Sequence, residues 1–285
     1  MLINLKKILE IAKDKDIAIG CFNAPNISSL RAVVRAAEAT NQPVVITHAQ
    51  IHEEKGICAM EEIIPAVLWY AKKSSVPICV HLDHGTDIDY IRRGLELGFT
   101  SVMYDGSELS LEENISNTKL VVTMASRYGA SVEAELGSMG ARQGGFGGAV
   151  EASADDKRVS IYTNPDDAAY FLKETGVDAL ACAFGTAHGF YNGTPKLDFE
   201  RVSALNKALN GLPIVMHGGS GVSDKDYREV IKRGVRKVNY YTYMAKAGGE
   251  AISGKQYTQF HDAFIDAENA MKENVKKAIS VFSNL

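Results

Sequence analysis

The feature that most constrains this chain is a regular alternation of short apolar segments with amphipathic ones. Eight segments have the length and apolar content of buried strands, and each is followed by a segment whose apolar residues recur at helical spacing. Eight such units in about 240 residues predict a (β/α)8 TIM barrel of the α/β class, with extra helices at the C-terminus. A doubly wound sheet is the alternative, but it does not require eight units. The predicted strands are residues 17–22, 43–47, 77–82, 101–104, 131–136, 179–184, 213–216 and 235–238.

Composition narrows the class of protein. With 46% hydrophobic residues and no linker or low-complexity segment, residues 1–285 are predicted to form a single barrel domain. The net charge of −4 predicts neither a nucleic acid nor a membrane surface as a partner. The four cysteines have no paired spacing, and no apolar run approaches the roughly 20 residues of a membrane span. We therefore expect reduced thiols and a cytoplasmic protein.

Polar residues collect where the predicted strands end. The active site of this fold lies at the carboxyl ends of the strands. Each residue taken alone could be a satisfied turn residue, whereas all of them on one rim predict a functional site. They are Asn23, His48, Asp83, His84, Asp105, Glu133, Glu135, His188, His217 and Asn239.

Three histidines among these residues predict a metal site. Burying the ionisable groups of His81-Leu82-Asp83-His84-Gly85 at a strand end is costly unless a partner such as a metal ion neutralises them. His84, His188 and His217 each follow a predicted strand and neighbour a glycine. Three imidazoles leave a coordination position open, which is typical of catalytic zinc, and nearby carboxylates would support the ligands or act as a base.

Two segments further along predict a phosphate site. His217-Gly218-Gly219-Ser220-Gly221 follows the seventh predicted strand, and residues 239–242 follow the eighth. The loops after strands seven and eight are the usual phosphate seat of a barrel. Gly-Gly-Ser-Gly by itself also suits a flexible turn.

These residues resemble the class II, metal-dependent ketose-bisphosphate aldolases over nearly the whole chain, from Gly20 to Asn239. Five motifs carry the resemblance: His81-Leu82-Asp83-His84-Gly85, Met103-Tyr104-Asp105-Gly106-Ser107, Glu133-Ala134-Glu135-Leu136-Gly137, Gly185-Thr186-Ala187-His188-Gly189 and His217-Gly218-Gly219-Ser220-Gly221.

The resemblance implies one catalytic zinc ion per subunit on His84, His188 and His217. Glu135 would lie near the metal or bind it alternately, and we expect Asp105 in a similar role. A monovalent cation, Na+ or K+, and a homodimer or homotetramer are also typical of the family. The positions that hold dihydroxyacetone phosphate match Gly189, Gly218, Gly219, Ser220, Asn239 and Thr242, and we add Asn23 as a substrate-binding candidate.

The implied reaction is the reversible aldol cleavage of a phosphorylated ketose to dihydroxyacetone phosphate and an aldehyde. Zinc would stabilise the negative charge as an enediolate, acting as a Lewis acid. Asp83 resembles the acid/base residue that takes the proton from the alcohol whose carbon becomes the aldehyde. The phosphate site would anchor and orient the substrate.

The chain departs from the family pattern in the loop between residues 137 and 162, which we expect to be a mobile lid. A loop acid of the family transfers a proton to carbon, and Gln143 and Gly144 stand at its place here. Glu151, Asp155 and Asp156 are the candidate substitutes.

Other departures concern the far end of the substrate. Fructose-type enzymes carry a Pro-Arg pair whose arginine grips the second phosphate, but this chain has Phe260-His261, and a mostly neutral histidine cannot match that grip. The second predicted strand ends in Thr47-His48-Ala49-Gln50, where a serine is common. Bulky Tyr240, Tyr241 and Tyr243 surround the eighth strand end.

We therefore hypothesise an aldolase whose aldehyde product is not glyceraldehyde 3-phosphate and need not be phosphorylated. Two alternatives stay open. One is an ordinary fructose- or tagatose-1,6-bisphosphate aldolase in which another residue binds the second phosphate. The other is a non-catalytic homologue that binds a metal and a sugar phosphate, or a subunit of an aldolase complex.

Overall fold

The computed structural model describes residues 1–137, 162–191 and 193–285. Nine strands and eleven helices are assigned within these ranges. The strands are β1 (Leu2–Ile3), β2 (Ile19–Asn23), β3 (Val44–Ala49), β4 (Ile78–Gly85), β5 (Ser101–Tyr104), β6 (Ser131–Leu136), β7 (Ala179–Cys182), β8 (Ile214–Met216) and β9 (Val235–Asn239). The helices are α1 (Leu5–Asp14), α2 (Ile27–Thr40), α3 (Gln50–Glu54), α4 (Met60–Lys73), α5 (Ile88–Leu97), α6 (Leu111–Ser126), α7 (Pro165–Thr175), α8 (Phe199–Ala208), α9 (Asp224–Lys232), α10 (Thr242–Ile252) and α11 (Phe260–Phe282).

The strands form one parallel sheet that closes on itself. Its order is β1-β4-β3-β2-β9-β8-β7-β6-β5, and an additional pairing of β4 with β5 closes β2–β9 into an eight-stranded barrel. This confirms the predicted (β/α)8 barrel with extra C-terminal helices. Because all the strands are parallel, their carboxyl ends meet at one rim, where the predicted site residues were expected.

Two N-terminal elements were not predicted. β1 pairs with the first residues of β4, and α1 buries Leu5, Ile8, Leu9 and Ala12 against the inward side chains of the barrel strands. These four residues recur at helical spacing, so the signal was present in the sequence. Helix α1 thus contributes its apolar face to the barrel interior. The polar residues lie elsewhere, at the carboxyl ends of the strands.

The outward faces of the strands pack against the helices in a second, larger core. The last helix, α11, lies along α2 and α10. Its buried Glu268 forms ion pairs with Arg31 and Arg35 of α2. The C-terminal helices are therefore fixed to the barrel by both apolar packing and a buried carboxylate.

Most predicted elements agree with the structure to within a few residues, and the largest difference concerns the strand that carries Asp83 and His84. This strand continues to Gly85 rather than ending at Leu82. Conversely, β7 ends at Cys182, two residues earlier than predicted. All four cysteines are free thiols, as expected. Within the described ranges no helix has the length and apolar character needed to cross a bilayer.

Candidate active site and metal centre

A cavity of about 370 Å³ opens at the carboxyl ends of the strands. It is lined by the proposed catalytic residue Asp83 and by all seven residues predicted to bind substrate. Of the predicted metal residues, His84, Asp105 and His188 also line it, whereas His217 and Glu135 are buried. The structure therefore brings together residues from six different strands or the loops that follow them. The seven substrate-binding candidates are Asn23, Gly189, Gly218, Gly219, Ser220, Asn239 and Thr242.

A local irregularity of β4 explains how two consecutive residues reach the same cavity. Successive residues of a regular strand point to opposite faces, so either Asp83 or His84 should point away from the barrel. The register between β4 and β5 shifts between Leu82 and Gly85, and the backbone of His84 adopts a φ of 48°. A positive φ is uncommon for a non-glycine residue and is typical of functional sites. The bulge thus presents both side chains to the cavity.

Three imidazoles converge at this position. His84, His188 and His217 each offer a nitrogen, and the three nitrogens lie within 4.8 Å of one another. His84 Nε2 lies 2.9 Å from His217 Nδ1. The buried Nε2 of His188 has no hydrogen-bond partner in the described part of the chain. Three imidazoles at the mouth of a cavity, with a coordination position left open, suit a catalytic zinc ion.

Two carboxylates accompany these histidines. Asp105 Oδ2 lies 2.7 Å from His84 Nδ1, and the other oxygen of Asp105 accepts a hydrogen bond from Ser107. This contact leaves His84 Nε2 to face the metal position. Glu135 Oε2 lies 3.6 Å from His217 Nδ1 and 3.9 Å from His84 Nδ1. Asp105 therefore orients the ring of His84, and Glu135 lies beside the position where the three imidazoles meet.

The electrostatics of the cluster favour a bound cation. Burial disfavours a charged imidazole, yet Asp83 and Asp105 raise the pKa of His84 to about 10. Burial and the neighbouring charge of Asp105 raise the pKa of Glu135. By contrast, burial lowers the pKa of His188 to about 3, which favours a neutral imidazole at neutral pH. The carboxylates thus draw positive charge to the position where the three imidazole nitrogens meet, and a divalent metal would supply it.

Asp83 has a different environment from its neighbour. Both of its oxygens lie 3.2 Å from the side-chain amide nitrogen of Asn239, which donates to them. Burial opposes its ionisation, but His84, His217 and Lys237 outweigh that effect and lower its pKa. A carboxylate that is ionised, oriented and exposed to the cavity can act as a general base. His81, two residues earlier, is fully buried, and its Nδ1 lies 2.9 Å from Ser101 Oγ.

The glycine-rich loops form a second wall of the cavity. Gly218 has a φ of +61°, and a Cβ there would lie 2.5 Å from the carbonyl oxygen of Ala187. The loops after β7 and β8 can therefore approach each other this closely only because residue 218 is a glycine. Ser220 Oγ accepts a hydrogen bond from the backbone N–H of Tyr241, next to the first turn of α10. Backbone N–H groups at a helix N-terminus are suited to an anion.

The sequence differences from the family that were expected to affect the far end of the substrate lie in three different parts of the structure. Phe260 and His261 begin α11, are largely exposed, and do not line the cavity. Tyr240 and Tyr241 line the cavity, and Tyr240 also packs against Phe22 and Phe282 of the core. His48 points into the helix layer rather than into the cavity, since it alternates with the inward-facing Thr47 and Ala49.

The loop departures lie elsewhere in the chain. Gln143, Gly144, Glu151, Asp155 and Asp156 are outside the described residues, as is most of the predicted lid.

Sequence reasoning missed two supporting residues. Lys237 of β9 is fully buried and paired with Glu133. A lysine two residues before Asn239 shares its face of the strand, so strand alternation could have placed it inside the barrel. Gln50 accepts hydrogen bonds from the backbone N–H groups of Thr86 and Asp87 and thereby ties the loop after β3 to that after β4. Its position in the short helix α3 gave no such signal.

Known proteins are similar to this chain in sequence and fold. Residues 3–285 match the family described as fructose-bisphosphate aldolase class-II. A sulfofructosephosphate aldolase from Alkalicoccus urumqiensis is 36% identical over 286 residues, covering 98% of this chain and 96% of that protein. The YdjI aldolase from Escherichia coli K12 superposes with a TM-score of 0.87 at 33% identity, covering 99% of this chain and 97% of the other. A putative fructose-1,6-biphosphate aldolase from Coccidioides immitis superposes with a TM-score of 0.86 at 28% identity, covering 98% of this chain and 96% of the other.

The histidine cluster can be tested by removing His188. Because its buried Nε2 makes no hydrogen bond in the described structure, His188→Ala should leave the fold intact. We expect zinc affinity, measured by competition with a chelating indicator, to fall at least about 100-fold when one of three ligands is lost. His48→Ala, which removes another buried histidine outside the cluster, is the matched control and should bind zinc like the wild type. Equal zinc affinity in both variants would contradict the assignment.

Proposed function

This chain belongs to the class II fructose-bisphosphate aldolase family, and from that premise we propose that it uses zinc to cleave a ketose 1-phosphate into dihydroxyacetone phosphate and an aldehyde other than glyceraldehyde 3-phosphate. Metal-dependent aldol cleavage of a phosphorylated ketose is the activity of the family. The choice of zinc and of the aldehyde is our proposal. The observation that carries it is the convergence of His84, His188 and His217 at the edge of a cavity that Asp83 also lines.

The reaction requires a proton acceptor and a means of stabilising negative charge. A divalent metal on the three histidines would supply a Lewis acid beside the ketone of the substrate. Asp83 would take the proton from the hydroxyl on the carbon that becomes the aldehyde, and the hydrogen bonds from Asn239 to both of its oxygens support this role by orienting the carboxylate. The cavity wall orients the bond that breaks relative to this carboxylate.

The phosphate end is proposed to lie at the loops after β7, β8 and β9. Gly189, Gly218, Gly219 and Ser220 line the cavity there, together with Thr242 in the first turn of α10. Tyr191 braces this wall, because its hydroxyl accepts from the N–H of Ala187 and donates to the carbonyl of Gly218. Backbone N–H groups fixed in this way can bind a phosphate group without the help of an arginine side chain.

The aldehyde end is proposed to lie at the segment from Ala49 to Lys55, which follows β3. Two strands, β2 and β9, separate β3 from the loop after β8. Lys55 is the single lysine or arginine among the described residues that line the cavity. In the proposed substrate orientation, Lys55 would meet an anionic group at the far end of the substrate.

A terminal sulfonate is the anion we favour. The position of the family's arginine holds Phe260-His261, which lie outside the cavity, so this position supplies no arginine to bind a second phosphate. A relative that is 36% identical is called a sulfofructosephosphate aldolase. A fructose 1-phosphate with a sulfonate on its last carbon would satisfy both ends of the cavity: a phosphate on backbone donors and a sulfonate on Lys55.

Four further proposals accompany this function. The match over residues 3–285 supports a single barrel domain spanning residues 1–285. Exposed apolar side chains on α11, including Phe260 and Phe264, support a homodimer or homotetramer. A monovalent cation near the phosphate and a cytoplasmic location stay predictions.

The substrate proposal predicts a ranking of retro-aldol rates. We expect fructose 1-phosphate with a terminal sulfonate to be cleaved at an ordinary enzymatic rate, on the order of 1–1,000 per second. Fructose and tagatose 1,6-bisphosphates should react at least about 100-fold less efficiently in kcat/KM. The measurement is coupled detection of dihydroxyacetone phosphate, with and without a zinc chelator.

Turnover of either bisphosphate at ordinary rates would instead identify a conventional aldolase. If the protein binds these compounds but cleaves none of them in a reaction that a zinc chelator abolishes, it is a non-catalytic homologue.

The role of Lys55 predicts a charge-selective loss. Lys55→Met should lower kcat/KM for the sulfonated substrate about 10- to 100-fold, since a charged hydrogen bond contributes about 1.5–3 kcal/mol. The same variant should leave cleavage of fructose 1-phosphate, which has a neutral tail, unchanged. Lys72→Met, in the last turn of α4, is the control outside the cavity. Equal losses for both substrates would show that Lys55 does not recognise the terminal anion.

A further inference from the structure

The barrel interior beneath the three histidines holds a buried ion pair that the proposed reaction does not use. Lys237 of β9 is fully buried, and its Nζ lies 2.9 Å from Oε2 and 3.1 Å from Oε1 of Glu133 on β6. Glu133 is also fully buried. Burying two charges is expensive, and apolar side chains of similar volume often serve stability equally well. The pair therefore calls for a role beyond holding two strands together.

Glu133 makes a second contact, towards the histidine cluster. Its Oε1 lies 2.9 Å from Nε2 of His217, which is fully buried on the loop after β8. When Nε2 donates to this carboxylate, the other ring nitrogen, Nδ1, carries the free lone pair. Nδ1 is the nitrogen that lies 2.9 Å from His84 Nε2, where the cluster converges. The contact with Glu133 thus selects both the tautomer and the orientation of His217.

Lys237 fixes Glu133 in turn. Glu133 also lies close to His81 and Asp83. One side-chain nitrogen or oxygen atom from each of the three residues lies within 4.8 Å of the other two. The ammonium of Lys237 provides a positive charge beside this group from within the chain itself. Without it, the carboxylate of Glu133 would be buried without a formal countercharge and free to turn towards other donors.

We propose that Glu133 and Lys237 are positioning residues that hold His217 with Nδ1 towards the metal. This inference rests on the metal site proposed above, although it does not depend on the identity of the substrate. It assigns to the pair an effect on metal affinity and ligand geometry, rather than on the proton transfer itself. Outer partners of ligating histidines typically change metal affinity 10- to 100-fold.

Two double variants test the proposal without leaving an unpaired buried charge. Glu133→Gln/Lys237→Met keeps a hydrogen-bonding group beside His217 but removes the charge that fixes it. Glu133→Met/Lys237→Met removes the hydrogen bond as well. We expect zinc affinity to fall about 10-fold in the first and about 100-fold in the second. The control is Thr175→Ala, which removes a buried hydrogen bond within α7 in the helix layer and should leave zinc affinity unchanged.

Zinc affinity is measured by competition with a chelating indicator on variants whose folding is checked by circular dichroism. The visible spectrum of the Co2+-substituted protein reports ligand geometry independently and should change in both double variants but not in the control. Zinc affinity within about threefold of the wild type in either folded double variant would overturn the proposal. A wild-type protein that binds no zinc would instead overturn the metal site on which it rests.

Discussion

Burial of several carboxylates among imidazoles at one end of the barrel is the constraint on which the rest of the site depends. Glu133, Glu135 and Asp83 are almost fully buried, and Asp105 lies beside them. Such a concentration of negative charge is stable only with matching cations. Lys237 supplies one such charge from within the chain, beside Glu133. The position between His84, His188 and His217 is where a divalent metal would supply the other.

The bulge in β4 separates the two tasks of the site. In a regular strand only one of two neighbouring residues could reach the cavity. The positive φ of His84 brings its imidazole to the metal position while Asp83 remains beside Asn239. In the proposed mechanism, the metal ligand and the general base therefore come from consecutive residues on one rigid strand. This arrangement fixes their separation better than two flexible loops could.

The barrel and the rim of polar residues could be predicted because they depend on apolar periodicity and on the parallel direction of the strands. Helix α1 carried the same kind of signal in Leu5, Ile8 and Leu9, but its role inside the barrel depends on tertiary packing. The bulge at His84 could not be predicted, since no glycine marks that position. The link from Lys237 to His217 joins β9, β6 and the loop after β8 through side chains, and it becomes visible only when the barrel closes.

Replacement of Asp83 by alanine tests the central claim most directly, because it separates the proton acceptor from the metal ligands. The account predicts that Asp83→Ala binds one zinc ion per chain, as the wild type does. Its rate of cleavage of a ketose 1-phosphate that the wild type accepts should fall about 100- to 10,000-fold, the usual contribution of a general base. Loss of zinc together with activity, or cleavage at the wild-type rate, would contradict the division of roles between Asp83 and His84.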